Sequence, residues 1–420
     1  MDKIEKKERG ILVGLCSPAL EDESSDDITM GELEALLDTA GGVCVGKMIQ
    51  NRETPEAATF IGSGKEKELK EYCDNLEADI VIFDNELSPS QLKNLEEALN
   101  LPVIDRAGLI LEIFAQRART SEGKLQVELA QYQYLLPRLM GLGKTMSRLG
   151  GGIGTRGPGE TKLETDRRHI RSRISKLKED LAEVRKNRAS QRRKRERAAI
   201  PVVAAVGYTN AGKSTLVNYL CGSDIQANDR LFDTLDPTTR RCELSDTVNA
   251  LVSDTVGFIR KLPHNLVEAF KATLEELQYA DIIMHVVDVS NPEWQNQMQV
   301  TEKMIEELGV LDKPRLTVYN KADKLADSLG IGQGEDECLI SARTGLGVVE
   351  LKQKLVRLAN AGIRRVNLLI PYTDAGALER LYREAKVVEA NYIEDGISVA
   401  LDCDSATAGR LEKWMVGGTD

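Results

Sequence analysis

Apolar and polar positions follow two different periods along this chain. Residues 11–15 (Ile-Leu-Val-Gly-Leu) and 80–83 (Ile-Val-Ile-Phe) are continuous apolar runs, the pattern of strands buried on both faces. Residues 31–39 and 91–99 carry apolar side chains at helical intervals, and Val103-Ile104 reads as a short strand after them. Strand and helix signals that alternate in this way predict a small α/β domain with a parallel sheet over residues 1–115. Within it, Gly62-Ser63-Gly64-Lys65 resembles a fragment of a phosphate loop but lacks the leading glycine at the required spacing. It reads instead as a turn before a helix that starts at Lys65.

The pattern changes over residues 116–199. Leu125, Leu129, Tyr132 and Leu136 stand at helical spacing, and Pro137 is expected to end or kink that helix. Residues 141–159 are too rich in glycine for a helix. Thr161-Lys162-Leu163-Glu164 reads as a capping box that restarts one. Beyond it Ile170, Ile174, Leu177, Leu181 and Val184 repeat at intervals of four and three, the seam of a coiled coil. The prediction is an antiparallel helical hairpin around a Gly-rich tip.

Buried-strand runs return at 200–206, 251–253, 315–319 and 339–340, which predicts a doubly wound α/β domain over 200–365. Residues 366–420 hold an apolar run at 368–370, a helical pattern at 376–385 and a second run at 397–401. These suggest a small α+β domain whose role the sequence does not disclose.

Charge alters this picture at one place. The 420-residue chain has a formal net charge of −11, yet residues 116–200 carry 22 Lys and Arg against 9 Asp and Glu. The rest of the chain carries 34 against 58. A single basic element on an acidic body is the footprint of a nucleic-acid contact, and a solvated coiled-coil face is the plainer alternative. No apolar run reaches the roughly eighteen residues of a transmembrane helix. The charged start Met1-Asp2-Lys3-Ile4-Glu5-Lys6 lacks a signal-peptide core. Seven cysteines stand singly with no C-x-x-C pair, which argues against a zinc site or a disulfide framework. A reducing cytoplasm is the expected location, with the membrane surface as a second one, and a monomer is the expected state.

The chemistry lies in the third region. Gly207-Tyr208-Thr209-Asn210-Ala211-Gly212-Lys213-Ser214-Thr215 is a complete G-x-x-x-x-G-K-[ST] loop between a predicted strand and a predicted helix. Its glycines let backbone N–H groups turn toward phosphate oxygens, and the helix N-terminus adds a positive dipole end. Lys213 supplies a cation for the β- and γ-phosphates, and Ser214 a hydroxyl for Mg²⁺. Asp254-Thr255-Val256-Gly257 follows a strand. Its Asp254 can hold Mg²⁺ through water, and its Gly257 leaves room for the γ-phosphate. Asn320-Lys321-Ala322-Asp323 follows another, and the Asp323 carboxylate can accept two N–H bonds from guanine where adenine would leave it unpaired. Ser341-Ala342-Arg343 brings backbone N–H toward the guanine O6. Together, and in this order, the four motifs predict a GTP- and GDP-binding GTP hydrolase. A fifth part, the threonine that senses Mg²⁺ and γ-phosphate, falls on Thr234, Thr238 or Thr239; spacing does not choose among them.

The strings G-Y-T-N-A-G-K-S, L-F-D-T-L-D-P-T-T-R, D-T-V-G-F-I and N-K-A-D, with the Gly-rich block at 150–168, resemble the HflX family of translational GTPases, related to the Obg group. The likeness runs from about residue 10 to 358 and is weakest at the C-terminus. It implies that the Mg²⁺-sensing threonine is Thr234, with Phe232, Asp233, Leu235 and Asp236 beside it in the nucleotide site. It makes Lys213, Thr234 and Gly257 the expected catalytic set. It further implies a factor that binds the large ribosomal subunit and its rRNA and splits stalled or idle ribosomes.

Two positions bear on mechanism. Phe258 stands where many GTPases have a glutamine that orients water, and a phenyl ring can do no hydrogen bonding. Slow turnover by the isolated protein is therefore expected, with stimulation by the ribosome. Asn210 sits where potassium-dependent GTPases place an Asn that ligates K⁺; a loop-stabilising Asn is the alternative. The competing function is a regulatory GTPase that uses its coiled coil for protein or membrane partners.

Overall fold

The computed structural model describes residues 7–146, 158–196, 200–222, 231–235, 238–246, 248–262, 277–325, 330–361, 363–374, 376–384, 386–404 and 411–416. The chain divides into two compact units. The first comprises Met1–Val184, Ala227–Asp236 and Val256–Leu274, and the second Arg185–Gln226, Pro237–Thr255 and Glu275–Asp420.

In the first unit, β1 (Arg9–Cys16), β2 (Val43–Asn51), β3 (Ile80–Phe83) and β4 (Val103–Asp105) form a sheet of order β2-β1-β3-β4, parallel throughout. Helices α1 (Asp27–Ala40), α2 (Ser63–Asn75), α3 (Pro89–Leu99) and α4 (Arg106–Arg117) alternate with the strands. The apolar runs read above supply the core: Ile11, Val13, Leu15, Val81 and Phe83 are buried with Leu69 and Leu95 of α2 and α3. Local chemistry starts the helices where the sequence places acceptors. Asp26 accepts from the Thr29 N–H while the Asp26 N–H donates back to Thr29, a reciprocal cap. Gly41 closes α1 at φ +94.

Several boundaries differ from expectation. Helix α2 begins at Ser63 rather than Lys65. Helix α4 runs across the expected division at residue 115. Helix α5 (Ser121–Met146) passes through Pro137 without ending there. Helix α6 (Pro158–Glu196) begins at Pro158, before the expected capping box, because Pro at the first helical position is preset in φ and gives up only an N–H that has no intrahelical partner. The tip between these helices, residues 147–157, lies outside the described residues. Leu129, Leu177 and Leu181 are buried together, with Leu125, Tyr132 and Ile174 against them, so α5 and α6 pack through the seam that the spacing indicates.

In the second unit, β5 (Val202–Gly207), β6 (Thr238–Glu243), β7 (Asn249–Asp254), β8 (Ile282–Asp288), β9 (Arg315–Asn320) and β10 (Glu337–Leu339) form one sheet of order β10-β9-β8-β5-β7-β6. All neighbours are parallel except β6 against β7. Helices α7 (Lys213–Cys221), α8 (Trp294–Glu307) and α9 (Val348–Asn360) accompany it. The order places β5 at the centre, and the motifs follow the carboxyl ends of β5, β7, β9 and β10, where open α/β sheets bind ligands. A separate antiparallel sheet, β11 (Ile363–Ile370), β13 (Gly396–Asp404) and β12 (Lys386–Ile393), buries Leu368, Ile370, Val399 and Leu401 under helix α10 (Gly376–Glu384).

Candidate nucleotide site

The site in the second unit grows from the turn between β5 and α7. Gly207 ends β5 so close to its neighbour strand that a Cβ would meet the Val286 carbonyl oxygen at 2.1 Å. Gly212 takes φ +91, and a Cβ there would meet Asn320 Nδ2 at 2.3 Å. Both glycines are thus demanded by close approach of other chain segments as well as by the path of the loop. Asn210, exposed at the loop crest, also takes a left-handed φ of +61. Tyr208, Thr209 and Ala211 are buried beneath it.

Lys213 opens α7 and is 6 % exposed. Its Nζ donates to the carbonyls of Gly207 at 3.1 Å and Tyr208 at 2.9 Å, so the side chain lies back along the loop. Burial pushes its pKa down to about 8, against the pull of Asp254. Ser214 Oγ donates to Asp254 Oδ2 at 2.7 Å, which joins the hydroxyl after the lysine to the carboxylate that ends β7. Two hard oxygen donors converging in this way suit Mg²⁺, which prefers a few protein oxygens and keeps waters and phosphates for its other positions. Thr215 continues α7. Thr255 is turned inward, its hydroxyl donating to the Ala205 carbonyl at 2.6 Å.

On the other side, the Asn320 amide is a clamp. Its Nδ2 donates to the Ala211 carbonyl at 2.9 Å, and its Oδ1 accepts from the Ala342 N–H at 2.9 Å. One side chain thereby ties the phosphate loop to the Ser341-Ala342-Arg343 turn. Lys321 takes φ +66 and pairs with Asp288 at 2.7 Å. The Ala322 N–H donates to the Ile340 carbonyl. Asp323 is exposed, and the Ser341 hydroxyl donates to its Oδ1 at 2.6 Å. That bond is the main reason its carboxyl stays below the usual range, so it is a carboxylate acceptor at neutral pH. Arg343, which follows Ser341-Ala342 in the turn, is exposed.

The remaining sequence-derived residues, the two β6 threonines apart, belong to the first unit or lie outside the described residues. Phe232 takes φ +53 and packs edge-on against Phe114, with ring centroids 4.7 Å apart. Asp233 pairs with Arg117 at 3.7 Å. Thr234 and Leu235 follow, and Asp236 lies outside the described residues. Thr238 and Thr239, the alternatives to Thr234, are ladder residues of β6 rather than loop residues. Val256, Gly257 and Phe258 are buried, and Lys261 of the same segment pairs with Asp84.

Known proteins close the argument. A GTPase HflX of Caldanaerobacter subterraneus subsp. tengcongensis is 48 % identical over 410 residues, 98 % of this chain and 94 % of its own. The chain belongs to the HflX family of GTPases. The GTPase HflX of Escherichia coli is 41 % identical over 405 residues, covering 95 % of this chain and 94 % of its own. Family models agree segment by segment: GTP-binding GTPase N-terminal over 27–115, GTP-binding GTPase Middle Region over 117–195, and 50S ribosome-binding GTPase over 202–321. Among solved structures, a GTP-binding protein of the archaeon Sulfolobus solfataricus, in complex with GDP, is 25 % identical with a TM-score of 0.44, covering 84 % of this chain and 99 % of its own. As an HflX GTPase the protein binds GTP and GDP and hydrolyses GTP. No described helix is long and apolar enough to cross a membrane.

Proposed function

We propose that this HflX GTPase is a cytoplasmic, monomeric factor that binds the rRNA of the large ribosomal subunit and splits stalled or idle ribosomes, and that GTP hydrolysis resets it. The observation that carries the reading is the charge asymmetry: the α5–α6 hairpin region concentrates 22 Lys and Arg against 9 Asp and Glu in an otherwise acidic chain. A counterion-releasing contact with phosphate needs such an element. The description of the matching family model, 50S ribosome-binding GTPase, points to the same partner.

Four working parts are assigned. Residues 1–115 form an α/β domain, 116–199 the basic hairpin with its Gly-rich tip, 200–365 the G domain and 366–420 a small α+β domain. In the G domain Lys213 contacts the β- and γ-phosphates, and Ser214 holds Mg²⁺ directly while Asp254 holds it through water. Thr234 and Gly257 sense the γ-phosphate. Mg²⁺ neutralises charge on the phosphates when bound. Asp323, with Asn320 and the Ser341-Ala342-Arg343 turn, reads guanine. Asn210 is assigned as a K⁺ ligand. Phe258 brings no group that can orient water, so turnover by the isolated protein is slow and the ribosome supplies the missing element.

The test is light scattering of 70S particles with GTP. A variant with residues 150–159 replaced by a short neutral linker should bind GTP normally but fail to split. Its seam lies outside the replacement, so the hairpin stays folded. Unchanged splitting would make the tip a mere connector.

A further inference from the structure

The second unit contains a pair of thiols that the nucleotide chemistry does not use. Cys221 is the last residue of α7, half-buried, and Cys242 sits on β6 in the core beneath it, 1 % exposed. The Cys242 thiol donates to the carbonyl of Leu220, the residue before Cys221, at 3.0 Å. The side chain of Cys221, the next residue along from that carbonyl, interacts with this thiol. Its one proton thus has two acceptors, a carbonyl and a neighbouring thiolate.

Two cations stand over this pair. Arg240, two residues before Cys242 on β6, reaches back to Asn218 of α7 at 2.8 Å, and Lys352 of α9 binds the Glu243 carbonyl at 3.1 Å. They oppose the negative end of the α7 dipole, which by itself would disfavour a thiolate at that position. The hydrogen bond from Cys242, with these charges, brings the Cys221 thiol down to about 7. The other cysteines provide contrast: burial pushes Cys73 up to about 11 and Cys338 up to about 12, and burial with Glu34 also raises Cys44.

We propose that Cys221 and Cys242 are a peroxide-sensitive pair that closes into a disulfide and rings off residues 222–241. The Cys221 thiolate attacks hydrogen peroxide; an S–O bond forms, the O–O bond breaks, and hydroxide leaves and is protonated to water. The Cys242 sulfur then attacks the Cys221 sulfur; the S–S bond forms, the S–O bond breaks, and a second water carries off the Cys242 proton. Two thiols are oxidised and one peroxide is reduced to two waters. An external dithiol reverses the step by exchange. The ring contains Thr234, so the bond shortens the path open to the chain on either side of that residue. An effect on turnover rests on the nucleotide-site reading; the cross-link itself does not.

The test uses the full chain, treated with hydrogen peroxide, alkylated and mapped by mass spectrometry. The expected result is a peptide linked through Cys221 and Cys242 that dithiothreitol separates, while Cys44 remains alkylated. Cys242→Ser should leave Cys221 as a sulfenic acid captured by dimedone, and Cys221→Ser, at the half-buried helix end, should lose the link altogether. Full alkylation of both Cys221 and Cys242 after peroxide would overturn the proposal. GTP turnover of the oxidised wild type should fall at least about twofold and recover with dithiothreitol, whereas Cys221→Ser should be insensitive. A link that forms with turnover unchanged would overturn the restraint on the loop and leave the nucleotide reading intact.

Discussion

Asp323 is the side chain proposed to choose the base. The Ser341 hydroxyl donates to one carboxylate oxygen and lowers the carboxyl pKa, which leaves an exposed acceptor group. Asp323→Asn should weaken GTP binding by at least about tenfold, since the amide replaces an acceptor with a donor opposite the guanine N–H groups. The same change should favour xanthine nucleotides, whose C2 carbonyl matches an amide donor; equal GTP affinity in equilibrium titration would contradict the assignment. Because the carboxyl pKa is depressed, the acceptor is present at neutral pH and is lost only as pH falls through the folded value. Guanine binding should therefore hold through mild acid. Asn210 gives a second test: at fixed ionic strength K⁺ should raise GTP turnover over Na⁺, and Asn210→Ala should erase the difference. Equal rates in the two salts would remove the K⁺ assignment alone. The sequence announced the residue types around the nucleotide because a phosphate loop, a D-x-x-G and an N-K-A-D each need particular side chains at fixed spacing. What it did not announce was Asn320 as the clamp between Ala211 and Ala342, since that depends on segments 109 and 22 residues away.

Among the elements, the segment after Gly257 is anchored by a buried ion pair. Lys261 takes φ +53 and pairs with Asp84, which also receives Arg106 at 2.8 Å and the Ser25 hydroxyl at 2.7 Å, while Arg106 pairs in turn with Glu32. Burial pulls the Asp84 pKa up, but Arg106 and Lys261 outweigh it and leave it depressed. Its contribution to stability is therefore present above the unfolded-state carboxyl pKa and lost as pH falls through the folded value. Lys261→Met should strand part of that charge and cost about 3–5 kcal/mol in denaturant unfolding, as removing one partner of a buried pair does. A loss below about 1 kcal/mol would mean that Arg106 alone satisfies Asp84. Nothing in the sequence marks this pair, because its members stand 177 residues apart. Element type was legible at the runs named above, while β8, β12 and helices α8 and α9 went unread. The strand at Val43–Asn51 escaped because it is an edge strand, interrupted by Gly46 and Lys47 and only partly buried. Helix α4 escaped because the apolar cluster of its sequence, RAGLILEIFAQR, hides its period.

At the scale of the whole molecule, the separation of charge sets the expected behaviour. Not every cation of the hairpin is available: Arg173 makes a two-pronged pair with Glu128 at 2.8 and 2.9 Å, whereas Arg168, Arg171, Lys176 and Lys178 are exposed. Binding to large subunits should weaken steeply with salt, as phosphate contacts release counterions. Replacing Arg168, Arg171, Lys176 and Lys178 by Gln should flatten that slope; an unchanged slope would leave the hairpin as a solvated coiled coil. The charge excess itself was visible in composition, because residues 116–200 carry 22 Lys and Arg against 9 Asp and Glu. The most direct measurement is co-sedimentation of the protein with purified large ribosomal subunits, with GDP or with a non-hydrolysable GTP analogue. The account predicts a pellet that holds the protein with the analogue and much less of it with GDP. Protein that stays in the supernatant in both conditions at low salt would contradict it.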